Sequence, residues 1–317
     1  MDTRYDVIII GAGAAGLTAG IYLSRAKMKT LILNEGAIGG QMTLTHEIAN
    51  YPGIESISGY ELARNMKAQA QKFGCVIRSN IKITSFDLTD DIKSVQINNK
   101  DTFTAPAVII ATGGRSRTIG VPGEEEFKGK GISYCATCDG DFFTGKEIIV
   151  VGGGNTAIEE AVSLTKYASA VTVVHQFDHF QALRHYVDEA EKNEKINFIM
   201  ESVISEFHGK EKLEGVTIKN LSTGESYYRE IDGVFVFIGY VPNTDMFSSA
   251  VTLNKNREII VDETMLTNLP GVFAAGDSIA KRYRQVTTAV ADGTIAALSA
   301  SEYVNKFKQA HEEALTV

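Results

Sequence analysis

The sequence has no tryptophan, five prolines and three cysteines among 317 residues. Three cysteines are too few for a disulfide-stapled scaffold. No apolar stretch approaches the roughly 18–20 residues a membrane-spanning helix needs, so no membrane association is expected. Basic residues are in the minority: 31 Lys and Arg against 39 Asp and Glu leave a formal charge of −8. That balance argues against a nucleic-acid binder, whose phosphate contacts need a basic surface. Met1–Asp6 lacks a basic stretch followed by a long apolar core; no secretory signal is visible and a cytoplasmic location is expected. The remaining composition is that of a globular chain, 44% hydrophobic and 22% charged, with length for about two domains at roughly 150 residues each. Glycine is plentiful, 29 residues, and is gathered in short runs rather than spread as linker.

The first glycine run sits inside a βαβ pattern. Tyr5–Ile10 reads as a buried parallel strand and Gly11-Ala12-Gly13-Ala14-Ala15-Gly16 as a turn. Leu17–Ala26 reads as a helix, and Lys29–Leu33 as a second strand ending at Asn34-Glu35. The plan recurs with strand Glu147–Val151, turn Gly152–Ala157, helix Ile158–Tyr167 and strand Ala170–Val174, ending at His175. The interval from first glycine to strand end is the same in both copies, Gly11 to Asn34 and Gly152 to His175. Two nucleotide-binding folds in one chain are therefore expected. Ala107–Gly114 and Gly271–Asp277 read as further strands ending in small residues. If both line the site opened by Gly11, the first domain is discontinuous and the second is inserted into it, with crossings near Arg117 and Tyr240. A two-strand hinge of that kind permits rigid-body rotation. The expected fold class is α/β: two Rossmann-like, doubly wound, three-layer domains, the second inserted into the first.

Three motifs carry chemistry. Gly11-x-Gly13-x-x-Gly16 supplies a tight turn, close approach of a pyrophosphate and helix-to-strand contact, and the helix N-terminus behind it favours phosphate charge. Asn34 and Glu35 stand where a ribose would be held. Gly152-x-Gly154-x-x-Ala157 reads first as a nicotinamide dinucleotide site. A 2′-phosphate there needs arginines after the second strand. The chain has His175-Gln176-Phe177-Asp178-His179-Phe180-Gln181, with no Arg or Lys before Arg184 and with aromatic bulk at Phe177 and Phe180. This reads as a retained fold that no longer binds NADPH well, with NADH or weakened NADPH use as the alternative. Cys135-Ala136-Thr137-Cys138 beside Rossmann units reads as a redox pair that closes and reopens a disulfide, with Asp139 as a proton donor or acceptor. Zinc on Cys135, Cys138, His175 and His179 is the competitor. The gap between the pairs is far longer than in a zinc finger, so no metal is expected. Cys75 reads as a buried strand position.

On these residues the chain resembles the low-molecular-weight thioredoxin reductases of the pyridine-nucleotide disulfide oxidoreductase group, over nearly its whole length and in the family's order. By this resemblance Gly11, Ala12, Gly13, Ala14, Ala15 and Gly16 form the FAD pyrophosphate turn. Asn34, Glu35, Gly40 and Gln41 belong to the second FAD segment, with Asn34 where an acidic residue is common. Asn50 belongs to the stretch beside the isoalloxazine ring. Ala111, Thr112, Gly113, Gly276 and Asp277 are similar to the remaining FAD motifs, Asp277 toward the ribityl chain, and Arg284, Gln285 and Val286 to the pyrimidine end. Cys135-Ala136-Thr137-Cys138-Asp139-Gly140 matches the family's redox centre. The missing arginines at Gln176, Phe177 and Gln181 make the chain most similar to the ferredoxin-dependent flavin thioredoxin reductases of anaerobic bacteria.

The resemblance implies an FAD-binding domain of residues 1–116 and 244–317 and an inserted NAD(P)H-binding-like domain of residues 117–243 carrying the redox pair. It implies electron flow from reduced ferredoxin through FAD to the Cys135–Cys138 disulfide and on to thioredoxin, in a homodimer. Cys138 then faces the flavin, Cys135 attacks thioredoxin and Asp139 manages the proton. The acidic ferredoxin needs a locally basic docking site, and Lys281-Arg282-Tyr283-Arg284, with Arg115 and Arg117, is the best run. The alternatives are an NADH- or NADPH-dependent thioredoxin reductase and a flavin redox sensor without turnover.

Overall fold

The computed structural model describes residues 3–45 and 47–315 and divides the chain into two compact units, Met1–Arg115 with Val241–Val317, and Ser116–Tyr240. The chain passes between them twice, and the two passages, Gly114–Ser116 and Tyr240–Pro242, pair as a two-stranded ribbon.

The first unit is built on a five-stranded parallel sheet in the order Val272–Ala274, Ala107–Ile110, Val7–Ile10, Thr30–Asn34, Val76–Ser79. Strand residues alternate between two layers. Val7, Ile9, Ile32, Ile109 and Phe273 pack with Leu17, Ile21, Ala296 and Val304 from helices. Ile8, Ile10, Leu31, Leu33, Val108 and Ile110 pack on the other side with Val95, Phe103, Phe247 and Ile259. Burial on both faces is why these strands are continuous apolar runs, each large aliphatic side chain contributing about 1.5–3 kcal/mol. A three-stranded antiparallel meander, Ile83–Asp87, Lys93–Ile97 and Asp101–Ala105, supplies part of the second layer.

The first helix runs Ala14–Arg25 and ends against Lys27 at φ +62°. It starts three residues before the expected Leu17, because Ala14-Ala15-Gly16 of the glycine motif already form its first turn. The C-terminal helix, Val286–Leu315, lies against it. Cys75 is buried as expected but sits one residue before the strand.

The second unit repeats the plan. Its parallel sheet runs Ile196–Ile199, Ala170–Val174, Glu147–Val151, Gly233–Val236, Ile132–Ser133. Ile148, Val150, Val171 and Phe235 face helical residues Ile158, Ala161 and Leu164. Ile149, Val151, Val234 and Val236 face the antiparallel meander Ser202–Gly209, Leu213–Asn220, Ser226–Glu230 through Ile204, Val216 and Ile218. Among the described residues no helix is long and apolar enough to cross a membrane.

Candidate active site

In the first unit the parallel strands all deliver their C-terminal ends to one edge, and the glycine turn leaves the central strand there. Gly11 has φ +111°, and a Cβ on it would strike the Ala111 carbonyl; a Cβ on Gly16 would strike the Gly11 carbonyl. These two glycines are required by the fold itself. Gly13 is different. Its backbone, φ −79° and ψ −170°, suits any residue, and a Cβ would meet nothing within 4 Å. It caps the first helix with no side-chain hydrogen bond, so nothing inside the protein asks for glycine at 13.

Asn34, Gly40, Ala111 and Gly276 meet at this turn, while Glu35 and Asn50 make their contacts elsewhere in the unit. Asn34 Oδ1 accepts from the Ala12 N–H at 2.9 Å, and its amide donates to the carbonyls of Gly36 and Ala37. Both amide protons are thereby engaged, so Asn34 holds the turn to the following loop. Glu35 accepts the Ile83 N–H through one oxygen, at 2.8 Å. The Gly39 N–H donates to the Ala12 carbonyl at 2.8 Å, and Gly40 lies against Gly13. Gln41 follows in the 3-10 turn Gly40–Leu44, held where Gly59 packs against the Met42 carbonyl. The Ala275 N–H joins the Ile110 carbonyl, and Gly276 packs on Ala15. Asn50 donates to Gln285 Oε1 at 3.5 Å, at the start of the C-terminal helix where Val286 begins.

The redox motif lies in the second unit. Cys135 and Cys138 form a disulfide with Cα atoms 5.3 Å apart. Cys135 caps the one-turn helix Ala136–Asp139, its Sγ accepting from the Cys138 N–H at 3.2 Å. Both cysteines are half-buried. Among the described residues no group of three or more His, Cys, Asp or Glu is placed to hold a metal.

The second glycine turn repeats the first. Gly152, at φ +136°, packs against the Phe237 carbonyl, and a Cβ on Gly154 would meet nothing within 4 Å. Gly153 is covered by the ring of His175. That ring is buried, stacks on Phe180 at 5.8 Å and meets Phe177 edge-on at 5.4 Å. Burial depresses the imidazole's pKa below its ordinary value, a contact with the His179 carbonyl opposing it. The N–H groups of Gln181 and Ala182 donate to the Gly153 carbonyl, folding the segment back over the turn. Arg184, the first cation after the strand, pairs with Asp188 at 2.6 Å and Glu191 at 3.0 Å.

The sequence profile of the pyridine nucleotide-disulphide oxidoreductase family matches residues 5–293. The chain is 47% identical over 311 residues to a thioredoxin reductase of Peptoclostridium acidaminophilum, covering 96% of this chain and 98% of the relative. It belongs to the pyridine nucleotide-disulphide oxidoreductases, among the low-molecular-weight thioredoxin reductases. It is also 44% identical over 303 residues to the "34.2 kDa protein in rubredoxin operon" of Clostridium pasteurianum, covering 96% and 98% of the two chains. The solved thioredoxin reductase of Streptococcus pyogenes MGAS5005 is similar in fold, with a TM-score of 0.93 at 41% identity over 96% of this chain and 100% of that one.

Low-molecular-weight thioredoxin reductases are FAD-containing disulfide reductases, and the first unit fits that cofactor. The open space before Gly13, at the N-terminus of a 12-residue helix, is the cradle a pyrophosphate requires. At the segments expected to contact the flavin the structure adds residues that the sequence did not single out. Asn243 donates to the Thr112 carbonyl at 3.0 Å, and its own carbonyl accepts from Thr112 Oγ1 at 2.7 Å, which fixes Thr112-Gly113. Asp292 accepts the Gly276 N–H at 3.2 Å and Lys281 Nζ at 2.7 Å. Burial raises the carboxyl pKa of Asp277 above the usual range, and Lys281, 3.3 Å away, works against it.

The basic run expected to dock ferredoxin is largely turned inward. Lys281 lies between Asp277 and Asp292 and Arg284 pairs with Glu258, whereas Arg115, which donates to Asn243, and Arg117 stay exposed. A cation already paired with carboxylates that are half-buried or buried offers little field to a partner. Arg282, over the Tyr283 ring at 5.3 Å, is the exposed cation of this run.

Proposed function

We propose that this chain is a ferredoxin-dependent thioredoxin reductase, transferring electrons to thioredoxin through FAD and the Cys135–Cys138 disulfide. The observation that carries the choice of donor is the segment His175–Arg184. A 2′-phosphate in a pyridine-nucleotide site needs paired cations. This segment offers a buried imidazole whose pKa is depressed, a His179 paired with Asp178, an exposed Phe177 and an Arg184 held by two carboxylates. The name of the C. pasteurianum relative, set in a rubredoxin operon, agrees with an iron-protein donor.

In this reading Gly11–Gly16 hold the FAD pyrophosphate, Glu35 reaches a ribose, Asp277 the ribityl chain, and Arg284, Gln285 and Val286 the pyrimidine end, with Asn50 beside the ring. Bound FAD supplies the site at which one-electron delivery is joined to two-electron disulfide reduction. The protein's residues then act on the dithiol. Cys135 is the attacking thiol: the Cys138 N–H that now points at its sulfur would stabilise a thiolate there. Asp139 carries the proton. The active form is a homodimer located in the cytoplasm.

A second reading is NADH as donor. It is favoured by Gly154, which like Gly13 has open space where a side chain would be. NADH lacks the 2′-phosphate and needs none of the missing arginines. Anaerobic mixing of the purified yellow protein with reduced ferredoxin, NADH or NADPH, followed at the flavin band, separates the readings. Rapid bleaching by ferredoxin with little response to either nucleotide is expected. Rapid bleaching by micromolar NADPH and none by ferredoxin overturns the proposal.

A further inference from the structure

Ser133 stands two residues before the redox pair, in a two-residue strand at the edge of the second sheet, and is only 5% exposed. Its backbone pairs with Phe235, an arrangement that needs no particular side chain. Its hydroxyl is nonetheless fully engaged. Oγ donates to Asp139 Oδ2 at 2.6 Å and accepts from the Cys135 N–H at 3.1 Å. The Cys135 carbonyl also lies near, at 3.3 Å. A hydroxyl has one proton, and the shorter contact to a carboxylate takes it. The Ser133 hydroxyl thus ties the backbone of the first redox cysteine to one oxygen of the acid that follows the second. The neighbouring residue secures the same stretch from the other side: Tyr134 donates to Glu124 at 2.7 Å, and buried Glu124 also accepts the N–H groups of Ile119 and Gly120.

We propose that Ser133 is a positioning residue for Asp139: its hydroxyl fixes the carboxylate beside the redox helix and favours its ionised form. The proposal rests on the reading of Asp139 as the proton carrier of the dithiol. In exchange with thioredoxin, Asp139 takes the proton of the Cys135 thiol. The Cys135 sulfur bonds to one thioredoxin sulfur, the thioredoxin S–S bond breaks, and the departing sulfur takes the proton back. Cys138 then attacks Cys135, the mixed disulfide breaks, and the second thioredoxin sulfur leaves and takes up the proton that Cys138 gives up. Thioredoxin gains the two electrons that the dithiol loses. Asp139 must be ionised at the start, and a hydrogen bond donated to a carboxylate lowers its pKa. Without that bond the acid limb of the reaction moves to higher pH.

The test uses the flavin-loaded protein, reduced chemically so that the natural donor does not enter, and mixed with oxidised thioredoxin in a stopped-flow instrument between pH 5.5 and 9. Ser133→Ala is expected to slow reoxidation about tenfold at pH 7 and to move the acid limb up by about one pH unit, with the melting temperature held. Ser133→Thr, which keeps the hydroxyl, is expected to stay within about twofold of the parent. Asp139→Asn is expected to slow the step about a hundredfold, and Ser133→Ala added to it to cost no more, because the serine acts through the carboxylate. A Ser133→Ala protein with the parent's rate or an unmoved acid limb overturns the proposal. So does a double variant whose losses multiply. An Asp139→Asn protein as fast as the parent removes the reading of Asp139 itself, a result distinct from failure at Ser133.

Discussion

Lys281 donates to Asp292 at 2.7 Å, with 13% of its side chain and 14% of that of Asp292 exposed. The same carboxylate holds the Gly276 N–H, and the same ammonium lies 3.3 Å from Asp277. One largely shielded, half-buried ion pair therefore shapes the segment read as the ribityl contact of FAD. Removing one partner of a buried pair costs about 3–5 kcal/mol because it leaves the other charge unmatched, and a half-buried pair costs less, about 1–3 kcal/mol. Lys281→Glu is expected to lower the urea midpoint and the flavin content together. Arg282→Glu, one residue on and exposed, is expected to change stability by less than about 0.5 kcal/mol. Of these two, Arg282 is the one whose charge reversal is expected to slow ferredoxin. A Lys281→Glu protein with the parent's midpoint and full flavin would show that the pair is not structural.

Gly13 gives a cleaner test of the cofactor turn than its neighbours do. Substituting Gly11 or Gly16 drives a side chain into a carbonyl, so lost flavin would report only a damaged fold. Valine at 13 meets no protein atom within 4 Å of its Cβ in an ordinary backbone conformation. Gly13→Val is therefore expected to fold with the parent's circular dichroism and to purify colourless, since the space it fills is the pyrophosphate's. A normal flavin spectrum in that variant would remove this turn from the site.

The roles of the two sulfurs are separable by spectrum. If Cys138 faces the flavin, Cys135→Ser leaves its thiolate against the ring, and a long-wavelength charge-transfer band is expected that fades on acidification. Cys138→Ser is expected to lack the band. The opposite pattern would exchange the roles. Both variants are expected to lose thioredoxin reduction, because the exchange needs two sulfurs.

The strands, the two glycine turns and the redox pair were legible because each is written locally. An all-apolar run of four or five residues buried on both faces, followed by a glycine cluster whose first member needs a tight turn, leaves few readings. The cross-connections were not legible. Ser133 to Asp139 is a short step in sequence, yet nothing in a lone serine announces that its hydroxyl is buried toward that carboxylate. Asn243 reaches Thr112 across 131 positions. Lys281-Arg282-Tyr283-Arg284 looked like one basic surface because charge in sequence carries no direction. The fold turns its first and last members inward and leaves Arg282 and Tyr283 outside. Asn34 also donates to the Gly36 and Ala37 carbonyls, a tie within the turn that its place after the strand does not announce.

Cys75 sets an alkaline limit. It is 4% exposed, and burial pushes its thiol from 9.0 up to about 12, the nearby Ser24 hydroxyl acting the other way. A pKa raised on folding gives stability that is complete below the unfolded value. That stability is lost as pH climbs toward the folded value, since only the unfolded chain releases the proton in that window. Between pH 9 and 12 the parent should lose about 1.4 kcal/mol per pH unit from this group. Comparing urea midpoints of parent and Cys75→Ala at pH 8 and pH 10.5 isolates it. The parent's advantage is expected to shrink by about 2 kcal/mol at the higher pH. An unchanged difference would mean that Cys75 ionises in the folded protein as it does in the unfolded chain.

The donor choice can be tested by putting charge back. Gln176, Phe177 and Gln181 stand where the resemblance leads one to expect arginines, and the backbone beside them is already folded over Gly153 through the Gln181 and Ala182 N–H groups. A hydrogen bond to a charged group is worth about 1.5–3 kcal/mol, so each guanidinium that reaches a 2′-phosphate tightens binding about tenfold to a hundredfold. Gln176→Arg with Phe177→Arg and Gln181→Arg is expected to let NADPH bleach the flavin at concentrations where the parent does not respond, and to leave ferredoxin reduction within about twofold. NADH, lacking the phosphate, is expected to gain little, so the NADPH-to-NADH ratio is the quantity to measure. The gain should fall with added salt, as a charge effect does. If the ratio does not move, missing charge is not what keeps NADPH out, and the stack of His175 on Phe180 over Gly153 becomes the barrier to remove next.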